Sequence, residues 1–195
     1  HYVITRSTVT EAKDYFKGAA LTPEGVQDLV KRLKKEDKFG WARRVLAKVR
    51  EENIPTVKLR TWFAQQHALC TYKDPDIPPL QALEQALAIL AGLFDLKNPE
   101  STSDQETLGI AGAIYKRLWQ VTGQKEKLER SYRYYRRGYD LGPEEDKGYT
   151  ATNAAFVLDQ LADIEMADEA PSVDRRRAEA KEIREAIVEK VAPLR

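Results

Sequence analysis

The sequence has little cysteine and little histidine, and this scarcity limits the chemistry available to it. Cys70 is the only cysteine, so no disulfide can form within the chain, as is usual for proteins of a reducing cytoplasm. The two histidines, His1 and His67, are far apart in the sequence and do not make a zinc ligand set with one cysteine. We therefore expect a cytoplasmic protein without a metal site and without a cofactor.

Long apolar runs and an excess of charge of one sign are also missing. No stretch approaches the roughly 20 apolar residues of a membrane-spanning helix, and no signal-peptide pattern is present. The 32 basic and 31 acidic residues give a net charge of +1, which provides no general attraction for nucleic acid or for a membrane surface. Glycine-rich phosphate loops and the HExxH and GxSxG motifs do not occur. These absences favour a protein that is not an enzyme and that binds neither nucleic acid nor membrane.

Helical periodicity occupies almost the whole chain. Thr22 fits a helix N-cap before Pro23, and the apolar residues that follow share one helical face. Gly123 indicates a helix end, and Pro78-Pro79 indicates a helix start. Seven further helices are predicted by apolar stripes that contain Leu46, Trp62, Leu83, Leu118, Tyr135, Leu158 and Ile183. Because no stretch alternates as a strand does, the predicted fold is all-α.

Pairs of consecutive helices give four hairpins, which is typical of tetratricopeptide-like repeats. The small residues that fit the helix crossings are Ala42, Ala82, Ser131 and Ala178. Their spacing is longer and less even than the roughly 34 residues of the standard repeat, so the repeats are irregular. One hairpin cannot bury its own apolar face, and we expect the hairpins to stack into a right-handed superhelical solenoid with a groove.

The repeat domain is predicted to span residues 22–195. Residues 1–21 are interpreted as a linker or short helix, with helical character from Thr10 to Phe16. Because the chain begins with His1 and not with Met, we expect this segment to lead from an upstream domain of a longer protein.

Three segments carry a resemblance to a known family. TLGIAGAIYKRLW at 107–119, YYRRGYDLGP at 134–143 and GYTATNAAFVL at 148–158 resemble the TRAFs-binding domain, which is known from the central regulatory region of the apoptosis signal-regulating kinases. ALCTYKDPDIP at 68–78 and FGWARRVLAKVR at 39–50 are similar to its bacterial, effector-associated members. The resemblance covers residues 22–192. Thr150-Ala151 stands where the family has Gly-Ile, and no kinase or effector domain is present in this sequence, so the kinase partners are not carried over.

The resemblance implies a tetratricopeptide-like scaffold that recruits partners or regulates an effector domain attached to it. We expect a non-catalytic protein-interaction and regulatory module that binds a protein or peptide, or that restrains an attached effector in signalling or bacterial defence. Self-association is a further expected mode. The alternative is a sensor of a small anionic ligand or nucleotide, bound by an Arg/Lys/Tyr cluster.

The first helix of each hairpin usually lines the groove of such a stack, and this nominates partner-binding residues. The candidates lie on three first helices and at their ends: Gln65, Gln66, Lys73, Lys116, Arg117, Gln120, Tyr149, Thr152 and Asn153. Gly109 and Gly112 are interpreted as sites of close helix approach and not as ligand contacts.

Arg133 and Arg137 are the candidates for an anion site. They are four residues apart on a predicted helix and can project together as a fork for carboxylate or phosphate, with Lys116 as a third cation. The competing interpretation is a solvated helix face paired with nearby glutamates. The Arg133/Arg137 site therefore stays a hypothesis beside the groove.

His67 and Cys70 are three residues apart, a spacing that allows an imidazole–thiolate pair on one helix face. No third residue that would orient the pair is evident. The favoured interpretation is a buried cysteine and a core histidine, so no catalytic residue is predicted.

Overall fold

The computed structural model describes residues 6–194, and all regular structure in this part of the chain is helical. The helices are α1 (Thr8–Phe16), α2 (Pro23–Lys35), α3 (Phe39–Val49), α4 (Val57–Lys73), α5 (Pro79–Leu90), α6 (Gln105–Thr122), α7 (Lys125–Asp140), α8 (Tyr149–Ala167) and α9 (Val173–Lys190), with short 3-10 helices at Pro99–Ser101 and Ala192–Leu194. The predicted all-α fold is confirmed, and the helices pack in sequential pairs.

Local sequence signals set the helix ends. The Thr22 hydroxyl accepts a hydrogen bond from the Gly25 N–H at 3.0 Å, as an N-cap residue does. Asp104 caps α6 in the same way through the Thr107 N–H at 2.8 Å. Gly123 ends α6 with φ +69°, a left-handed conformation that residues with a Cβ rarely adopt. The predicted signals at Thr22 and Gly123 are confirmed.

Residues 6–93 form one compact unit, which contains α1 to α5. Its core is apolar and includes Val26, Leu33, Leu46 and Phe63. The predicted short helix in the first segment is present as α1, which packs against α2 and α3 and contributes Ala12 to the same core.

Residues 94–194 form a second compact unit, which contains α6 to α9. The crossing of α6 and α7 is close: the buried Ser131 hydroxyl donates a hydrogen bond to the Gly112 carbonyl at 2.7 Å. A Cβ on Gly112 would lie 2.8 Å from the Tyr135 ring, which explains why glycine occupies this position. Gly112 is thus a site of close helix approach, as predicted. Helix α6 also contacts α8, so the second unit brings these two helices together.

The prediction that Ala178 lies at a helix crossing is wrong: Ala178 is exposed, and Ala180 is the small residue buried in α9. In the first turn of α5, Leu80 is exposed, whereas Ala82 is buried. Tyr134 is buried beside Tyr135. The Tyr134 ring stacks on the Tyr115 ring with centroids 5.4 Å apart, an aromatic contact that periodicity does not predict.

Phe39-Gly40 forms the start of α3. Gly40 lies against the buried Asp74 carboxylate, whose oxygens would be 3.0 and 3.3 Å from an added Cβ. That carboxylate accepts a hydrogen bond from Arg43 at 2.7 Å and another from the Asp76 N–H at 3.0 Å. Asp74 therefore fixes the turn that follows α4.

Candidate functional site

Lys116 is the centre of the candidate site. Its ammonium group donates a hydrogen bond to Asn153 Oδ1 at 2.8 Å, which joins α6 to α8. The same Nζ lies 5.6 Å from the centroid of the Tyr135 ring and 5.4 Å from that of Phe156, distances at which cation–π attraction operates. We define the Lys116 surface as Lys116 and Arg117 of α6 with Tyr149, Asn153 and Phe156 of α8.

Asn153 and Tyr149 complete the local geometry of the Lys116 surface. The Asn153 amide donates to the Tyr149 carbonyl at 2.9 Å while its oxygen accepts from Lys116, so the side chain is fixed in orientation. The Tyr149 ring lies against α6 at Gly109, where an added Cβ would be 2.9 Å from the ring. Gly109 thus gives the Tyr149 ring its place, and the predicted role in close approach is confirmed.

Lys116 has no carboxylate partner in the part of the chain that the structure describes. Lys116 forms no ion pair within residues 6–194, and α6 has no acidic residue after Glu106. Helix α8 has none before Asp159. Burial, and to a lesser degree the adjacent Arg117, lowers the pKa of Lys116 from its ordinary value. The protein therefore holds a positive charge in a half-buried place without a negative charge beside it.

The remaining predicted partner-binding residues fall into two groups. Gln120 and Thr152 are exposed on α6 and α8, near the Lys116 surface in sequence. Gln65, Gln66 and Lys73 lie on α4 in the first unit. Gln65 and Gln66 are buried, and the Gln66 amide oxygen accepts a hydrogen bond from Lys34. Lys73 is exposed, with its ammonium group 5.3 Å from the centroid of the Phe39 ring.

Arg133 and Arg137 have different neighbours in the structure. Arg137 forms an ion pair with Glu100 at 3.1 Å, and its Nε is buried. Arg133 is exposed and lines a cavity of about 190 Å³ together with Arg130 and Tyr134 of α7 and with Leu96, Lys97 and Pro99 of the preceding loop. The cavity therefore brings Arg133 together with Arg130 and Lys97, and the structure gives Arg137 a carboxylate partner.

Phe156 and Lys97 were missed by the sequence-based reasoning. Phe156 is 44% exposed, and its only signal in the sequence is a position three residues after Asn153, on the same helical face. Lys97 lies in a loop, and its approach to α7 depends on the tertiary fold.

Cys70 is buried, as predicted, whereas His67 is only partly buried. Burial, reinforced by Arg50 and Arg43, lowers the pKa of His67 to about 4, and the Arg50 guanidinium lies 2.8 Å from His67 Nδ1. Burial raises the pKa of the Cys70 thiol to about 12, so it is a protonated thiol at neutral pH. Lys34 and Lys73 act to lower the pKa of the thiol, but burial outweighs them, so the reactive thiolate is not the form of Cys70 at neutral pH.

We expect Cys70 to react slowly with a thiol-specific disulfide reagent in the native protein, and at least about a hundredfold faster in denaturant, because the native thiol is both buried and protonated. The measurement is the labelling rate at pH 8, with free cysteine as the reference. Labelling of the native protein at the rate of free cysteine would contradict the buried, inert state.

Within residues 6–194, no group of three or more His, Cys, Asp or Glu side chains is arranged to hold a metal ion. None of the helices in the same range has both the length and the apolar character needed to cross a membrane.

The fold and these surfaces define a class: an all-α domain of irregular, tetratricopeptide-like helical hairpins. The model of the Tetratricopeptide Repeats-Sensor (TPR-S) family matches residues 25–158, more than half of the chain, and the protein belongs to this family. The match is to TPR-S and not specifically to the TRAFs-binding domain. It includes every residue of the Lys116 surface and of the Arg133 cavity. Searches of curated proteins and of solved structures gave no match.

Proposed function

We propose that this TPR-S domain is a non-catalytic recognition module that binds an acidic segment of a protein on the Lys116 surface. One observation carries the proposal: Lys116 is half-buried, is oriented by Asn153 and has no carboxylate beside it. Partial burial makes an isolated charge costly, and a carboxylate from a partner would lower that cost.

The neighbouring aromatic side chains supply the apolar part of such an interface. Tyr149 and Phe156 are 50% and 44% exposed, and they lie on the same helix as Asn153. Aromatic residues and arginine are enriched in protein interfaces, whereas isolated exposed rings cost free energy in water. The charge of Lys116 beside two partly exposed rings fits a segment that alternates acidic and apolar residues.

The segment that binds belongs either to a separate protein or to an effector domain in the same full-length chain. The resemblance to TRAFs-binding modules supports the second arrangement, in which occupancy of the Lys116 surface would restrain the effector until a signal arrives. The family name, which includes the word sensor, supports a role in signal detection.

We expect Lys116→Gln and Asn153→Ala each to weaken capture of the partner about tenfold or more, since each removes part of one charge-assisted contact. The bait is residues 1–195, with captured proteins identified by mass spectrometry and the acidic segment then synthesised for titration by fluorescence anisotropy. Arg175→Gln is the matched control: it removes one positive charge from an exposed position of α9. Equal affinity for wild-type and Lys116→Gln proteins would reject the proposal, as would a captured segment that carries no acidic residue.

A second candidate function is a sensor of a small anionic ligand. The observation that favours it is the cavity lined by Arg133, Arg130 and Lys97, which collects three cations. The anion site proposed here consists of Arg133, Arg130 and Lys97, in place of the Arg133/Arg137/Lys116 cluster predicted from the sequence.

A further inference from the structure

We propose that the Arg133 cavity, lined by Leu96, Lys97, Pro99, Arg130, Arg133 and Tyr134, binds the phosphate group of a small phosphate monoester. The inference rests on the sensor function and gives it a site and a ligand class. It is independent of the Lys116 surface.

The charge of the cavity is the first argument. Lys97, Arg130 and Arg133 contribute three positive charges, and none of them forms an ion pair with another residue in the range 6–194. Of the nearby carboxylates, Glu100 pairs with Arg137 at 3.1 Å, whereas Asp95 accepts the backbone N–H of Lys97 at 2.9 Å and forms no ion pair with the Lys97 ammonium group. The positive charge of the three cations therefore exceeds the negative charge of Asp95, which suits a dianion.

The type of the cations is the second argument. Arg130 and Arg133 present guanidinium groups, whose planar N–H donors match the oxygens of phosphate. They are three residues apart on α7, a spacing that places neighbours on one helical face. Lys97 belongs to the loop before α6, so the cations that line the cavity come from two separate segments of the chain.

The rigidity of the loop that contains Lys97 is the third argument. The Ser101 hydroxyl donates to the Asn98 carbonyl at 2.7 Å, and the Asn98 side chain accepts the Glu100 N–H at 3.1 Å. The Tyr134 hydroxyl donates to the Leu96 carbonyl and ties the loop to α7. The backbone beside Lys97 is thus ordered before any ligand binds, which reduces the entropy that binding costs.

The size of the cavity limits the ligand. About 190 Å³ is smaller than the roughly 300–1,000 Å³ typical of sites for drug-sized molecules. A phosphate with a short organic group fits this volume, and a dinucleotide would have most of its surface outside. Leu96 and Pro99 provide an apolar wall for the organic part.

The test is calorimetric titration at constant ionic strength with inorganic phosphate, inorganic diphosphate, glycerol 2-phosphate and citrate. We expect the phosphates to bind, glycerol 2-phosphate more tightly than inorganic phosphate, and Arg133→Gln to weaken binding at least tenfold. Arg133 is exposed, so its replacement leaves folding intact, and unchanged thermal unfolding of the free variant verifies this. Arg175→Gln removes the same charge elsewhere and should leave the affinity unchanged.

Each other result rejects a defined part of the inference. Citrate binding that depends on Arg133, without phosphate binding, overturns the ligand class and preserves the sensor function. Absence of binding by all four anions overturns both. Equal weakening by Arg133→Gln and Arg175→Gln shows general charge attraction and overturns the site. Tighter binding of inorganic phosphate than of glycerol 2-phosphate overturns the assignment of a monoester as the ligand and indicates free phosphate in its place.

Discussion

Replacement of Glu165 by Gln is expected to lower the free energy of unfolding by about 3 kcal/mol at pH 7. Glu165 is 3% exposed, and its carboxylate bonds to Arg176 of α9 at 2.8 Å and to the Ser172 hydroxyl at 2.6 Å. Lys125, at the start of α7, lies 3.2 Å away. One carboxylate thus connects α8 with α7, α9 and the loop before α9, and its loss leaves Arg176 without its closest counter-charge.

The pH dependence follows from the pKa of Glu165. The hydrogen bond from Arg176, followed by those from Ser172 and Lys125, outweighs burial and lowers this pKa from 4.5 to about 2. A carboxyl whose pKa is lower in the folded state stabilises the fold above its unfolded pKa and loses this effect as pH falls towards the folded pKa. The contribution is therefore complete above about pH 5, has fallen to roughly 1.4 kcal/mol at pH 3, and is nearly absent at pH 2.

Urea denaturation followed by circular dichroism at pH 7 and pH 3 measures this effect. The matched control is Glu129→Gln, because Glu129 approaches the same cations, Arg176 at 3.7 Å and Lys125 at 3.9 Å, but is 46% exposed. We expect the control to change stability by less than about 0.5 kcal/mol. A difference between wild-type and Glu165→Gln proteins that stays constant from pH 7 to pH 3 would contradict the assigned ionisation.

The sequence predicted the helices well because their signals are local. An N-cap at Thr22 and a glycine end at Gly123 act within a few residues, and apolar spacing reports which face is buried. Tyr134 was missed because its burial depends on a stacked partner, Tyr115, on another helix. Periodicity shows which face of a single helix is apolar, but it does not predict which side chains of two helices contact each other.

The candidate sites were predicted only in part for the same physical reason. Lys116 and Asn153 were both selected from the sequence, and the fold joins them in one hydrogen bond. Arg133 and Arg137 were selected as a pair because of their spacing. In the structure, Arg137 forms an ion pair with Glu100, whereas Arg133 lines a cavity together with Lys97. Ion pairs between segments that are distant in the sequence decide which charged side chains have a partner, and helical spacing does not predict these pairs.

Replacement of Gly138 by Ala is expected to destabilise the protein by about 2 kcal/mol, although alanine favours helix by about 1 kcal/mol over glycine. A Cβ on Gly138 would lie 2.7 Å from Thr150 Cβ and 2.9 Å from its Oγ1. Thr150 cannot move aside cheaply, because its N–H and hydroxyl donate to Asp146 at 2.9 and 2.6 Å. The helices α7 and α8 must therefore separate at their closest approach.

The separation would also disturb Gln105, whose amide donates to the carbonyls of Gly138 and Gly142 at 2.8 Å each and ties the start of α6 to the end of α7. Gly92→Ala is the control, since its nearest contact would be an ordinary 3.4 Å, and we expect a change within about 0.5 kcal/mol. A double-mutant cycle of Gly138→Ala with Thr150→Gly isolates the contact, because the second change removes the obstructing atoms. A coupling energy of about 1 kcal/mol or more, in the direction of recovery, is expected. If the losses in free energy of unfolding of the two single variants simply add in the double variant, Gly138→Ala does not destabilise the protein through a clash with Thr150, and the steric explanation of this glycine is refuted.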